Sequence, residues 1–372
     1  MRKRHGNSLG LLGEVALPIS CTAHFPLVPE VDVCAASEDR FPNLNSRAGA
    51  SIVGMSPWRK GNKLKLVSES QAPEPIQQIY REIKQVLGVP YVSTVFQTYA
   101  AYPGFLPLHW RAMRPIISSG EFFALAERQR ADAYTRVFNY FDVPDLCEQL
   151  TESLLSSDAR QELSSVVDMF HYADPMILLI VAAQLQSFEA PVGRRGVASS
   201  HSAEYPVFHR APVLVSDDVA PPHTRQIFEE LRRNAGMPFL NLDYRAIACW
   251  PDFLGAYADL LKRVVESPVY EGCHHSVRET AFALTREFPQ PVDLSLVHLS
   301  EAGVRDEDIA SIVRITELFV DSFSVLLVNT SLAKIALEGG TRPKAYPPSK
   351  PAQPEAPAKP AQPEAAGKER AA

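Results

Sequence analysis

An all-α fold made of two tandem helical bundles is predicted by three observations in this 372-residue chain. Apolar residues recur at the three- and four-residue spacing of one helix face. Runs of Val, Ile and Thr alternating between paired-glycine or Asn-Gly turns are absent from both halves of the core sequence. The chain also aligns with itself at a fixed offset of 148 residues, without a gap.

The first 70 residues are expected to form a largely unstructured extension. They open with RKRH and an apolar LGLLGEVAL that resembles a secretory signal, but Glu14 interrupts the apolar part and no small-residue cleavage pattern follows. A cytoplasmic protein is therefore expected. The first helical repeat is placed at 71–189. Ile76, Ile79, Tyr80, Ile83, Val86 and Leu87 lie on one helix face, with Gly88 where a left-handed cap is wanted. A second helix is expected from about Tyr91 to Tyr102, stopped before Pro103, which disfavours helical geometry in the residue preceding it. Further helical patterns cover Phe105 to Ile117, Phe122 to Phe141, Asp158 to Phe170 and Met176 to Phe188. A linker follows at 190–222, and the second repeat at 223–340. After Ala345 come seven of the 31 prolines and two copies of KPAQPEA, with almost no apolar side chain to bury. Residues 341–372 are therefore expected to be a disordered tail.

The repeat is carried by two windows of 29 residues, Gln78 to Leu106 and Gln226 to Leu254. Nine of the 29 positions are identical, among them Gly88/Gly236, Pro90/Pro238, Pro103/Pro251 and Phe105/Phe253, where average composition would give about two. Two copies of one unit are the simplest source of such a pattern.

Composition excludes several functions. Lys and Arg number 37 against 43 Asp and Glu, a net charge of −6, which is not the balance of a nucleic-acid binder. No uninterrupted apolar stretch reaches the roughly 20 residues of a membrane-spanning helix, so no membrane partner is expected. The five cysteines form an odd set without C-x-x-C spacing, as reduced thiols would. The glycine loops of dinucleotide and P-loop proteins, the G-x-S-x-G nucleophile elbow and the H-E-x-x-H zinc motif are all missing. No metal and no cofactor are predicted. His109 beside Trp110 reads as packing or surface. His274 and His275, as neighbours, would point about 100° apart on a helix and read as surface residues.

One residue breaks the apolar pattern. Phe239, Asp243, Ile247 and Trp250 form a stripe whose counterpart in the first copy is Tyr91, Val95, Tyr99 and Tyr102. Asp243 thus occupies a position that its twin fills with valine. A carboxylate facing a core is costly unless partnered, and such groups gather in active sites. Either Asp243 is tied to a backbone donor or to an arginine such as Arg245, or it is the working residue of a site. Asp174, before Pro175, reads as the N-cap of the apolar helix that follows, and could also line a cleft between the copies.

The segments VPYVSTVFQTYAAYPGFLPLHWRAM, HYADPMILLIVAAQL and LDYRAIACWPDFL resemble the group I 2-haloacid dehalogenases, also labelled the halocarboxylic acid dehydrogenase family. The resemblance runs from about Gln78 to Leu337 and includes PGFLPLHW, Pro103 to Trp110. It implies an all-helical fused pseudo-dimer and a hydrolase needing neither metal nor cofactor. It implies that Asp243 activates a water that displaces halide from the 2-carbon of a short haloacid, with inversion and no covalent intermediate. Tyr91, Thr94, Asp174 and Leu242 would shape the substrate pocket, at positions where the family has Trp, Phe, Asn and Ser. Asp174 would then either repel an anionic substrate or share a proton with Asp243. The partners implied are a small organic acid and water, with no nucleic acid and no membrane, and a homodimer is allowed. The alternative is a family member that does not dehalogenate, either a binding or structural protein or a hydrolase of an uncharged substrate.

Overall fold

A computed structural model of the protein describes residues 64–150, 154–196, 206–235 and 239–339. Twelve helices lie within them: α1 (Glu74–Leu87), α2 (Thr94–Tyr99), α3 (Phe105–Ile117), α4 (Gly120–Tyr140), α5 (Leu146–Gln149), α6 (Ser157–Ser187), α7 (Pro222–Ala235), α8 (Leu242–Ile247), α9 (Pro251–Val265), α10 (Pro268–Thr285), α11 (Leu296–Glu301) and α12 (Asp306–Glu338). The fold is all-α. Among the described residues the single β-bridge joins Val192 to Val292.

Local chemistry sets the helix ends. Gly88 closes α1 at φ 68°, with its N–H on the Lys84 carbonyl. A Cβ there would meet the Pro206 carbonyl oxygen at 2.7 Å, so both backbone angle and space require glycine. Gly88→Ala is expected to lower stability by more than about 1 kcal/mol, read from a urea melt. Serine side chains cap three helix starts in the first half, Ser93 on α2, Ser119 on α4 and Ser156 on α6, and Asp145 does the same for α5. In α12 three acids, Asp306, Glu307 and Asp308, occupy the first turn, where the helix dipole favours them.

The centre of the fold is the pair α6 and α12, which pack most extensively on each other and are flanked by α4 and α10. From Phe170 to Leu185 and from Val325 to Leu337 every residue is buried, so these helices are apolar on nearly all sides. Helix α6 is long and apolar enough to cross a membrane, but 89% of its apolar window is buried inside the fold, as in a core helix. The polar exceptions are paired: the Gln184 amide donates to Thr316 at 2.7 Å, and His171 meets Ser331 at 3.2 Å.

Three sequence expectations are corrected. Helix α6 runs unbroken through Pro175, so Asp174 is not an N-cap but a buried mid-helix residue. Proline removes only one N–H···O bond, and burial around the helix holds the turn in place. The expected Tyr91–Tyr102 helix shrinks to the six residues of α2, and α8 likewise leaves Phe239 and Trp250 outside it. His274 is buried against the Tyr270 ring at 5.4 Å, and burial lowers its pKa to about 4; only His275 is on the surface. His109 is packed among Phe96, Tyr99 and Phe105, as one of its two readings had it. Most of the 1–70 extension, Cys21, Cys34, and the 341–372 tail lie outside the described residues. Residues 64–70 follow the fold: Val67 donates to the Gln97 carbonyl at 3.0 Å and accepts from the Tyr80 hydroxyl at 2.7 Å.

Candidate active site

Helix α8 packs on α6, and this brings its first turn against the middle of the core helix. Asp243 and Asp174 meet there, 3% and 2% exposed. They line one small, partly open cleft with Tyr91, Ser93, Thr94, Phe170, Phe239, Asn241, Leu242, Phe323 and Leu326. All five residues singled out in the sequence, Asp243, Tyr91, Thr94, Asp174 and Leu242, therefore share one site. Its walls come from both halves of the chain, and Tyr91/Phe239 and Thr94/Leu242 are matched across the 148-residue offset.

The two carboxyl groups are hydrogen-bonded to each other, and among the described residues no lysine, arginine or histidine lines the cleft. Burial, then the charge of Asp243, then the hydrogen bond between them hold Asp174 well above the usual carboxylate range; the Thr330 hydroxyl, at 3.1 Å, works in the opposite direction. Burial pushes Asp243 up to about 7, opposed by the hydrogen bond from Asp174 and by its own backbone N–H. The physical sense is simple. Two adjacent buried carboxylates cannot both stay ionised, so the pair holds on to a proton between them.

Asp243 Oδ2 is buried and has no hydrogen-bond partner among the described residues. An arginine does not neutralise it: the Arg245 guanidinium turns away to the Val215 carbonyl at 3.1 Å. Behind the pair lies a neutral network. The Tyr270 hydroxyl donates to Asn329 Oδ1 at 2.8 Å, the Asn329 amide donates to the Tyr244 hydroxyl at 2.8 Å, and Tyr257 donates to the Asn329 carbonyl at 2.6 Å. Burial, reinforced by Asp174 and Asp243, raises the Tyr91 phenol, so it too is a neutral donor. The arrangement supplies one unpaired carboxylate oxygen, an adjacent acid proton and a largely apolar wall. That is the equipment of a general base in a dry cleft.

Sequence reasoning missed Ser93, Asn241, Phe323, Leu326 and Thr330. A signal existed for Thr330: at the 148-residue offset it stands opposite Ala182, the same kind of polar-for-apolar difference that exposed Asp243. Asp174 stands opposite Ser322, whose hydroxyl accepts from the Asn241 amide at 3.4 Å.

The family model described as halocarboxylic acid dehydrogenase DehI matches residues 90–237. An (R)-2-haloacid dehalogenase of Pseudomonas putida is 25% identical over 270 residues, covering 71% of this chain and 90% of its own length. Over these stretches the chain is similar to this family. An (R)-2-haloacid dehalogenase of Rhizobium sp. (strain NHG3) is 27% identical over 235 residues, covering 62% of this chain and 90% of that one. The likeness extends to the fold. A D-2-haloacid dehalogenase mutant solved in complex with D-2-CPA superposes with a TM-score of 0.70 at 22% identity, over 74% of this chain and 96% of the other. The matched stretch contains Tyr91, Thr94 and Asp174, while Asp243 and Leu242 fall just beyond it.

Proposed function

We propose that this chain is a hydrolytic 2-haloacid dehalogenase in which Asp243 removes a proton from a water as that water attacks the 2-carbon of a short haloacid, expelling halide with inversion and without a covalent intermediate. The observation that carries the proposal is that Asp243 lines a small cleft and that its buried Oδ2 has no hydrogen-bond partner among the described residues. A carboxylate in that position has a free lone pair for a water, and the apolar wall of Phe170, Phe239, Phe323 and Leu326 keeps competing solvent away. Tyr91 and Thr94 are placed to orient the substrate, Leu242 to set its shape, and Asp174 to hold Asp243 by a hydrogen bond. Inversion agrees with the relatives named configuration-inverting 2-haloacid dehalogenase, such as that of Alcaligenes xylosoxydans xylosoxydans, 25% identical over 260 residues.

The reading carries further parts. The substrate is a small organic acid, the second reactant is water, and no cofactor takes part. The six helices α1 to α6 and the six from α7 to α12 are copies of one unit joined as a pseudo-dimer. In support, adding 148 to the bounds of α1 and α2 gives those of α7 and α8. A cytoplasmic location and a homodimer complete the proposal.

The test is halide release from 2-chloropropionate by the purified protein, followed against pH at saturating substrate. Because the base must be ionised, the rate is expected to rise on a single step through about pH 7, where Asp243 loses its proton. A rate that is flat from pH 5.5 to 9 would mean that Asp243 does not act as the base.

A further inference from the structure

The dehalogenation just described uses Asp174 only to hold Asp243 and gives its proton nothing to do. Halide departs as a stable anion and takes no proton, yet the cleft holds a carboxylic acid, Asp174, beside the base. The pair carries a proton because its two carboxyl groups touch in a buried site lined by no cationic side chain among the described residues. An acid next to a base becomes useful when the leaving atom is an oxygen, since an alkoxide is a poor leaving group until it is protonated. Two touching carboxyl groups that share one proton and divide the acid and base roles are a familiar solution in hydrolases.

The cleft narrows the substrate further. It is small and mostly apolar, and the groups around the acid pair, namely Tyr91 before α2, Tyr244 in α8, Tyr257 in α9 and Thr330 in α12, are neutral. An uncharged substrate meets no repulsion from the pair. An epoxide fits these limits: it is compact, it is opened by water at a saturated carbon as a haloacid is, and its leaving oxygen stays attached within reach of the same pocket.

We infer that this site also hydrolyses small uncharged epoxides to vicinal diols, with Asp243 as the base for the attacking water and Asp174 as the acid for the departing oxygen. In the step, a bond forms between the water oxygen and an epoxide carbon, and that carbon's bond to the ring oxygen breaks. The water proton passes to Asp243, and the Asp174 proton passes to the ring oxygen. The proton now on Asp243 returns to Asp174 through their shared hydrogen bond, and the net reaction is epoxide plus water to diol. The inference shares only the role of Asp243 with the proposed function.

The experiment uses the full-length protein with 1,2-epoxypropane, measuring 1,2-propanediol, and in parallel with 2-chloropropionate, measuring chloride. Diol formation is expected at least 100-fold above buffer. At saturating epoxide it should rise with pH as Asp243 ionises and fall again at higher pH as Asp174 loses its proton, whereas chloride release at saturating haloacid lacks the fall. In Asp174→Asn the ratio of diol rate to chloride rate should drop at least 100-fold. Diol at the buffer level, a diol profile without the high-pH fall, or an unchanged ratio in a folded Asp174→Asn overturns the inference. Should circular dichroism show that variant unfolded, Asp174→Glu, which keeps the acid, is expected to retain diol formation, and the wild-type rate and profile decide. Chloride without diol sinks this inference alone, and diol without chloride sinks only the haloacid reading.

Discussion

Asp243→Asn is expected to lower the rate of halide release by roughly 10²- to 10⁴-fold, the span that a positioned general base contributes. The substitution keeps the shape of the side chain but removes its ability to take a proton. The loss should fall on kcat, with KM little changed, because the apolar wall and the neutral donors Tyr91 and Thr94 remain in place. An amide at this position still fits beside Asp174, so the variant should fold. Steady-state kinetics on the two proteins reads the effect directly, and a variant within a few-fold of wild type would remove Asp243 from the chemistry.

The second large effect is on stability. In the unfolded chain Asp243 and Asp174 titrate near the ordinary carboxylate value of about 4, whereas folding raises both, Asp243 to about 7. Between those values the folded protein binds more protons than the unfolded one. Their contribution is therefore fully present below about pH 4 and is lost as pH rises through 7. From pH 5 to pH 8 the pair is expected to destabilise the fold by on the order of a few kcal/mol. Asp174→Asn/Asp243→Asn should be the more stable protein at pH 8 and should flatten that dependence, as expected where a site is kept reactive at the expense of the fold. Urea midpoints at the two pH values check this. Equal slopes for wild type and double variant would show that the acids are not perturbed as a buried pair.

The largest part of the fold could be read in the sequence because it depends on periodic burial. The spacing of Ile79, Ile83 and Leu87, ended by Gly88, places α1 to within a few residues, and Phe105 to Ile117 coincides with α3. Proline misled the reading at α6. Pro175 looks like a helix start in isolation, but the helix on either side is buried between α12 and its flanking neighbours, and tertiary packing outweighs one missing hydrogen bond. An N-cap Asp174 would have spent its oxygens on backbone amides. Mid-helix and buried, it turns instead to Asp243 and Thr330.

Asp243 was legible for a different reason. Its twin Val95 is wholly buried, so the duplication reports the burial of that position, and a carboxylate there stands out. His274 carried no such signal, because adjacency of two histidines says nothing about which one faces the core. The pairing of Asp243 with Asp174 comes from the family resemblance and not from periodicity, since it depends on how α8 crosses α6, and residues 69 apart meet only through that crossing.

A single turnover in ¹⁸O-labelled water, with enzyme in excess over 2-chloropropionate, tests the central claim most directly. If Asp243 activates a water that itself attacks the carbon, the hydroxyl of the first lactate formed carries the label. If that oxygen instead comes unlabelled from the protein, with the label found afterwards in Asp243, the side chain has attacked the carbon itself and its role as a base for direct hydrolysis is contradicted.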